Sequence, residues 1–378
     1  MFVTSAEEGF IAPSRYGRSK KSGPSSWTKK DKSPASKKDN ILLLAVNRRD
    51  GAIRWTRTVG DRNRVFRKQN LASPSPVTDG TRVWVMTGAG RLTCLNFAGK
   101  EVWTRDLQAE YGPFGQNHGY ASSPLLSGGQ LYLQVLHGMK TDEPSYVLAL
   151  DKLTGRTIWK VDRLTDAPLE SPDDYSTPIM VTTNERQRLV VSGGDYVTGH
   201  SLRTGKEVWR MGGFNPKRER FYRTIASSIA VGGTVYTTST RGRPFVAFRP
   251  NGSGDITSSA AVWQNDLGSD VPTPTTDGKR IFVVRDRGVL NAFNCRNGSK
   301  VAEPKRLEPG TYSASPLLAD GKLYATNEDG VTSVLSADSL EVLAVNRLEG
   351  RTLASPAAAG NQLFIRTAEY LYCLANKR

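Results

Sequence analysis

One pattern recurs along the chain and constrains its fold more than any other feature. Its fullest copy, ALDKLTGRTIW, runs from Ala149 to Trp159, with Asp151, Thr154 and Gly155 at fixed offsets before the closing Trp. Related copies read AVNRRDGAIRW (Ala45 to Trp55), CLNFAGKEVW (Cys94 to Trp103) and GHSLRTGKEVW (Gly199 to Trp209). Two copies, AFNCRNGSKVA from Ala292 and SVLSADSLEVL from Ser333, lack the Trp. Another opens at Ala247 and reaches its aromatic only at Trp263, after a Gly/Ser-rich insertion, and the last stops soon after Cys373. The small leading residue thus recurs at Ala45, Cys94, Ala149, Gly199, Ala247, Ala292, Ser333 and Cys373, some 40 to 55 residues apart.

A second column precedes most copies: Ser/Thr-Pro, a turn, then alternating apolar residues. It includes SPVTDGTRVWV at Pro76, SPLLSGGQLYL at Pro124, TPIMV at Pro178, TPTTDGKRIFV at Pro274, SPLLADGKLYA at Pro316 and SPAAAGNQLFI at Pro356. One copy, SIAVGGTVYT, reads with Ile229 where proline is expected. The Asp-Gly, Gly-Gly and Gly-Asn pairs suit tight hairpins, and period-two alternation without helical stripes excludes an α-solenoid. Units of this length with four short strands (A to D, inner to outer) predict an all-β, eight-bladed β-propeller of antiparallel blades forming a single domain over residues 1–378. The blades are expected near 1–59, 72–107, 121–163, 175–211, 225–266, 271–307, 313–348 and 353–375.

The motif then reads as glue between blades. The small residue lies on strand C, where a bulky side chain would hold packed blades apart. Asp151 and its Asn counterparts bond turn backbone, Gly155 and Gly205 supply the turn conformation, and Trp55, Trp103, Trp159, Trp209 and Trp263 on strand D cover a neighbouring blade. Proline suits an innermost edge that has no ladder partner.

These residues resemble the PQQ-like, quinoprotein-type repeat family, whose signature A-x-D-x-x-T-G-x-x-x-W is matched in full by Ala149, Asp151, Thr154, Gly155 and Trp159. The resemblance spans Ile41 to the end, with departures at Ala302 and Leu343 that read as ordinary divergence. It is closest to the non-catalytic branch, the outer-membrane assembly factor BamB and the PQQ-binding-like repeat proteins. That likeness implies a periplasmic or cell-envelope setting, protein partners and no cofactor. Strand A of blade 1 and strand D of blade 8 have no counterpart in the sequence. The expectation is an N-terminally truncated chain, lacking roughly 20–40 upstream residues and any export signal.

The net charge of +16 is concentrated in three connections. Residues 10–40, placed as an insertion in blade 1, carry nine Lys/Arg in a Ser/Pro-rich context expected to be disordered. The loop after strand D of blade 1 holds Arg62, Arg64, Arg67 and Lys68, and the loop after blade 4 holds Lys217, Arg218, Arg220 and Arg223. Against them stands an acidic loop with Asp166, Glu170, Asp173 and Asp174. With His118, Tyr120 and Tyr222, these basic residues form the candidate partner-binding face, suited to an acidic protein or other anionic surface. A solvated loop set that only aids solubility is the plainer alternative.

Catalytic signals are weak. A quinoprotein enzyme of the resembled family would need a vicinal disulfide, a carboxylate base and calcium ligands, yet Cys94, Cys295 and Cys373 are scattered, as are the three histidines. There is no GxSxG, HExxH or phosphate-binding loop and no nucleic-acid motif. No apolar run approaches the ~18 residues of a membrane helix. A non-catalytic interaction scaffold is the favoured function, ahead of a small-molecule or glycan binder using the central channel, with a PQQ-dependent dehydrogenase last.

Overall fold

The computed structural model describes residues 1–6, 39–61, 63–66 and 68–375. The basic insertion, apart from Asp39 and Asn40, lies outside the described residues, as do Arg62 and Arg67. Eight antiparallel sheets follow one another as the blades of an all-β propeller. Blade 3 is typical: Leu125–Ser127, Gln130–Val135, Tyr146–Asp151 and Thr157–Asp162 pair in sequence order from inner to outer edge. The first sheet (Phe2–Ala6, Ile41–Val46, Ile53–Gly60) and the last (Ala357–Ala359, Gln362–Arg366, Leu371–Ala375) have three strands among the described residues.

The Trp columns have a regular geometry. Five times the strand-D Trp stands directly across from the small residue of strand C: Ala45–Trp55, Cys94–Trp103, Ala149–Trp159, Gly199–Trp209 and Ala247–Trp263. Cross-strand partners share a sheet face, so the column is small because an indole leans over it from the same blade. A Cβ on Gly199 would lie 2.0 Å from the Trp209 ring. The same residues also face the next blade, as the sequence suggests: Cys94 shares a core cluster with Leu131 and Leu133, Ala149 with Leu189 and Val191, and Ala247 with Ile281 and Val283.

The indole adds a contact of its own, with the next blade's turn. Trp55, Trp103, Trp159 and Trp263 donate their ring N–H to the carbonyls of Phe97, Lys152, Leu202 and Cys295 at 2.8, 3.2, 2.8 and 2.9 Å. Each ring lies on the following turn's glycine (Gly99, Gly155, Gly205 or Gly298), where a Cβ would meet it at 2.4–2.8 Å. Asp151 holds its turn by accepting from Leu153 N, Thr154 N and Thr154 Oγ1, and these bonds draw its pKa down.

Two seams solve the problem differently. The Gly/Ser insertion of blade 5 sends Gly254–Asp255 alongside strand D of blade 4 as a parallel fifth strand. Ile256 then joins the core around Trp209, whose indole N–H finds no acceptor among the described residues and whose ring packs edge-on against Phe248. Trp209 therefore departs from the shelf pattern expected of it. At the seam between blades 6 and 7, Ala302 replaces the Trp. In blade 7 the column residue is Val334, across from Ala344, and not Ser333 as the sequence spacing suggests. The following turn therefore carries Leu340 in place of Gly. Leu340 adopts φ +57° and is buried in the core shared by the two blades. The Trp loss is compensated by a side chain entering from the other direction.

The inner rim carries a feature that the sequence reading passed over. The residue preceding each strand-A proline position donates its N–H to the hydroxyl of its counterpart one blade on. The belt runs Ser75, Ser123, Thr177, Ser227, Thr273, Ser315, Ser355, with six bonds of 2.9–3.3 Å. Ser227 occupies the blade 5 position of this belt, so Ser228, and not Ile229, stands where the other blades have proline.

Candidate interaction face

The connections between successive blades meet on one face. Between blades 1 and 2, Val65–Phe66 and Gln69–Asn70 pair as a short hairpin. Its root is fixed by Asn63, which donates to Asp39 Oδ2 at 2.8 Å and accepts from Leu71 N at 3.1 Å. Its tip reaches two distant blades. Lys68 Nζ donates to Glu328 Oε1 of blade 7 at 2.5 Å, and Gln69 Nε2 donates to the carbonyls of His118 and Gly119, before blade 3, at 2.6 and 2.9 Å. Glu328 is 8% exposed and also accepts from Ser313 Oγ and Arg351. Burial opposes its ionisation, but Lys68, Ser313 and Arg351 outweigh that and hold its pKa below the usual value. Phe66 lies against Gly119, with the Arg64 guanidinium 4.8 Å and the Lys140 ammonium 5.7 Å from its ring centre.

The acidic loop lies among the basic ones and neutralises much of their charge. Asp166 pairs with Arg218, and Glu170 sits 3.5 Å from His118 Nε2 and 3.9 Å from Arg223. Asp173 is a backbone clamp, accepting from Asn117 N, Gly138 N and Met139 N at 2.6, 2.9 and 3.2 Å. Burial still raises its pKa to about 6. Asp174 is buried beneath it, accepting from Ser176 N at 3.0 Å and from Gln134, and desolvation pushes it to about 7. The nearby Arg163, wholly enclosed, is drawn down to about 10 by the same loss of water. His200 is buried under its turn, bonded to Gly205 O and Thr198 Oγ1, and burial lowers it to about 4.

The candidate residues therefore separate into groups. Arg64, Lys68, His118, Arg218 and Arg223 are engaged with aromatic or acidic neighbours within the face. Tyr120 is 1% exposed and packs against Phe114 in the core of blades 2 and 3; it is not a surface residue. Tyr222 is also buried, its hydroxyl donating to Arg243 O at 2.5 Å. An aromatic adjoining basic residues in sequence does not reveal which side chain turns inward, and here the neighbour Phe221 is the exposed one. Lys217 and Arg220 are exposed and form no ion pair among the described residues. The hairpin itself left little sequence signal, because its strands are two residues long.

The family model described as outer membrane protein assembly factor BamB matches residues 38–303. The chain belongs to this family. No curated protein matches the sequence significantly. Among solved structures, BamB from Moraxella catarrhalis is 15% identical, with 90% of this chain and 94% of that chain aligned at a TM-score of 0.63. The computationally designed Ika8 protein aligns over 90% and 94% at 11% identity and a TM-score of 0.64. Quinohemoprotein alcohol dehydrogenase from Comamonas testosteroni aligns over 87% of this chain and 68% of its own at 12% identity and 0.63. At these identities the likeness carries the propeller fold alone.

Proposed function

We propose that this BamB-family propeller is a non-catalytic scaffold of the cell envelope that docks an acidic protein partner on its loop face. The observation that carries the reading is the exposed set Lys217, Arg220 and Phe221, left uncommitted while the surrounding cations are absorbed by Asp166, Glu170 and Glu328. Exposed basic side chains around an apolar aromatic combine electrostatic steering with a buriable anchor. The family match to an outer-membrane assembly factor supports the envelope setting and a protein partner. The hairpin joining blade 7 to the loop before blade 3 favours a docking surface over an open axial ligand site.

The residues also fit a quinone centre poorly. Cys94 and Cys295 are buried in separate blades and Cys373 lies on the edge of blade 8, so no pair can stack a quinone. Among the described residues, no group of three His, Cys, Asp or Glu side chains is arranged to hold a metal.

Photo-crosslinkers placed at positions 220 and 221 in the native host should give one discrete protein adduct, weakened by K217E and by raised salt. A crosslinker at Arg49, on a rim turn, should not give it. Stoichiometric uptake of PQQ with calcium, read by absorbance, would overturn the non-catalytic reading.

A further inference from the structure

The opposite face of the propeller carries a charge pattern of its own. In a four-stranded antiparallel blade the hairpins joining strand A to B and strand C to D lie at one end of the sheet, away from the connections between blades. On blades 3, 4 and 6, in the part of the ring removed from blades 8 and 1, these turns and their flanks bear Arg156, Arg186, Arg203, Lys206, Arg296 and Lys300. All six are exposed, and none forms an ion pair among the described residues.

The acidic neighbours are mostly spent elsewhere. Asp151 holds its own turn, Glu207 pairs with Arg210 at 2.6 Å and Asp277 pairs with Arg280 at 2.6 Å. Glu185 is the one exposed carboxylate on these turns that forms no ion pair among the described residues. Blade 5, between them, adds exposed Arg249 and Asp255, which leave the balance unchanged. The loop face is the reverse case, because Asp166, Glu170 and Glu328 absorb the cations around them.

One apolar side chain stands among these charges. Leu153, in the turn between strands C and D of blade 3, is 47% exposed and is flanked there by Lys152 and Arg156. No Phe, Tyr or Trp occurs in the turns of blades 3, 4 and 6, so the face offers no platform on which nucleic-acid bases could stack. A partner for it must present negative charge across several blades, accept an aliphatic tip and need no aromatic contact. A bilayer with anionic headgroups meets all three conditions. Its attraction for a protein grows with each Lys or Arg near its surface, and its headgroup layer takes up apolar side chains that project from a basic face.

We propose that the turn face of blades 3 to 6 docks the propeller on an anionic phospholipid surface, with Leu153 entering the headgroup layer. The loop face lies at the other end of the sheets and points away from that surface. The assignment does not rest on the loop-face reading.

At low ionic strength the full chain should co-sediment with phosphatidylcholine vesicles containing about one-third phosphatidylglycerol, bind pure phosphatidylcholine vesicles far less, and be released as salt is raised. R203Q/K206Q should weaken binding about 25-fold, at about fivefold per cation. L153S should weaken it about fivefold to tenfold. These side chains are exposed, so Tm should not fall. K217Q/R220Q, on the loop face, should leave vesicle binding unchanged. Equal affinity for neutral and anionic vesicles, unchanged affinity in R203Q/K206Q, or a loss that follows K217Q/R220Q instead would each overturn the proposal. So would tighter binding of a short DNA duplex, weakened by R203Q/K206Q and untouched by L153S, which would make nucleic acid the occupant. The loop-face reading is tested by protein adducts at positions 220 and 221, so the two fail separately.

Discussion

The seams between blades 3 and 4 and between blades 6 and 7 fill the same slot from opposite sides. In the first, Trp159 comes from the preceding blade, bonds Leu202 O at 2.8 Å and lies on Gly205. In the second no Trp is present, and Leu340 of the following turn buries itself in a left-handed conformation that a γ-branched residue ordinarily avoids. What the repeat preserves is therefore a filled volume, and a Trp column read one residue at a time hides this. The turn residue of one blade and the strand-D residue of the blade before it form a single unit.

The sharpest way to break that equivalence is to overfill the slot. Gly205→Leu places a side chain where a Cβ already lies 2.4 Å from the Trp159 ring and demands φ +72° of a non-glycine. The expected loss is about 3–5 kcal/mol by denaturant unfolding. W159A alone should cost a similar amount. Combined with Gly205→Leu, it should recover part of the loss by reproducing the arrangement at Leu340. A double mutant that loses the plain sum of the two would show that the slots are not interchangeable. The converse change, L340G, relieves the strained turn but empties a buried site, and should cost about 2–3 kcal/mol.

Most of the fold was legible because the constraints on it are local. Pairing Asp-Gly turns with alternating strands, and a Trp at fixed distance from a small residue, specifies a blade without reference to its neighbours. What escaped the sequence reading depends on contacts between blades. The Ser/Thr belt of the inner rim is one such case, since each bond joins residues about 40 to 54 positions apart. The swap of Ala302 for Leu340 is another, readable only when two repeats are compared at different columns. On the loop face the basic residues were legible but their partners were not. Arg218 and Asp166 meet across 52 positions, and Tyr120 turns into the core although it stands beside His118 in a loop.

The loop ends of the two seams also differ, in the sign of their response to pH. Asp174, near blades 3 and 4, is raised by burial to about 7, whereas Glu328 of blade 7 is held low by its three donors despite burial. A carboxyl group whose folded pKa is raised favours the folded state most below its unfolded value near 4, and that advantage is lost as pH rises through about 7. The advantage of a depressed carboxyl group is present above its unfolded value and is lost only on acidification. Lowering the pH from 8 to 5 should therefore strengthen the Asp174 region and leave the Glu328 contribution unchanged. Asp174→Asn should stabilise the protein by about 1–2 kcal/mol at pH 8 and by almost nothing at pH 4, measured by thermal unfolding. A gain of equal size at both pH values would mean that titration of Asp174 is not its source.

The finest distinction is between two Trp residues that look alike in sequence. Trp159 and Trp209 each stand across from a small residue in strand C, but only Trp159 spends its indole N–H on the next blade. Replacement by Phe removes the N–H in both, together with part of the ring. At Trp159 it also leaves Leu202 O without its donor, which adds about 1 kcal/mol to the loss. At Trp209 no such bond is present among the described residues, and removing a buried donor that lacks an acceptor there offsets part of the lost packing. W159F should therefore be more destabilising than W209F, although Trp209 is 1% exposed and Trp159 8%. The reverse order would mean that burial, and not the bond to the neighbouring turn, sets the worth of each Trp.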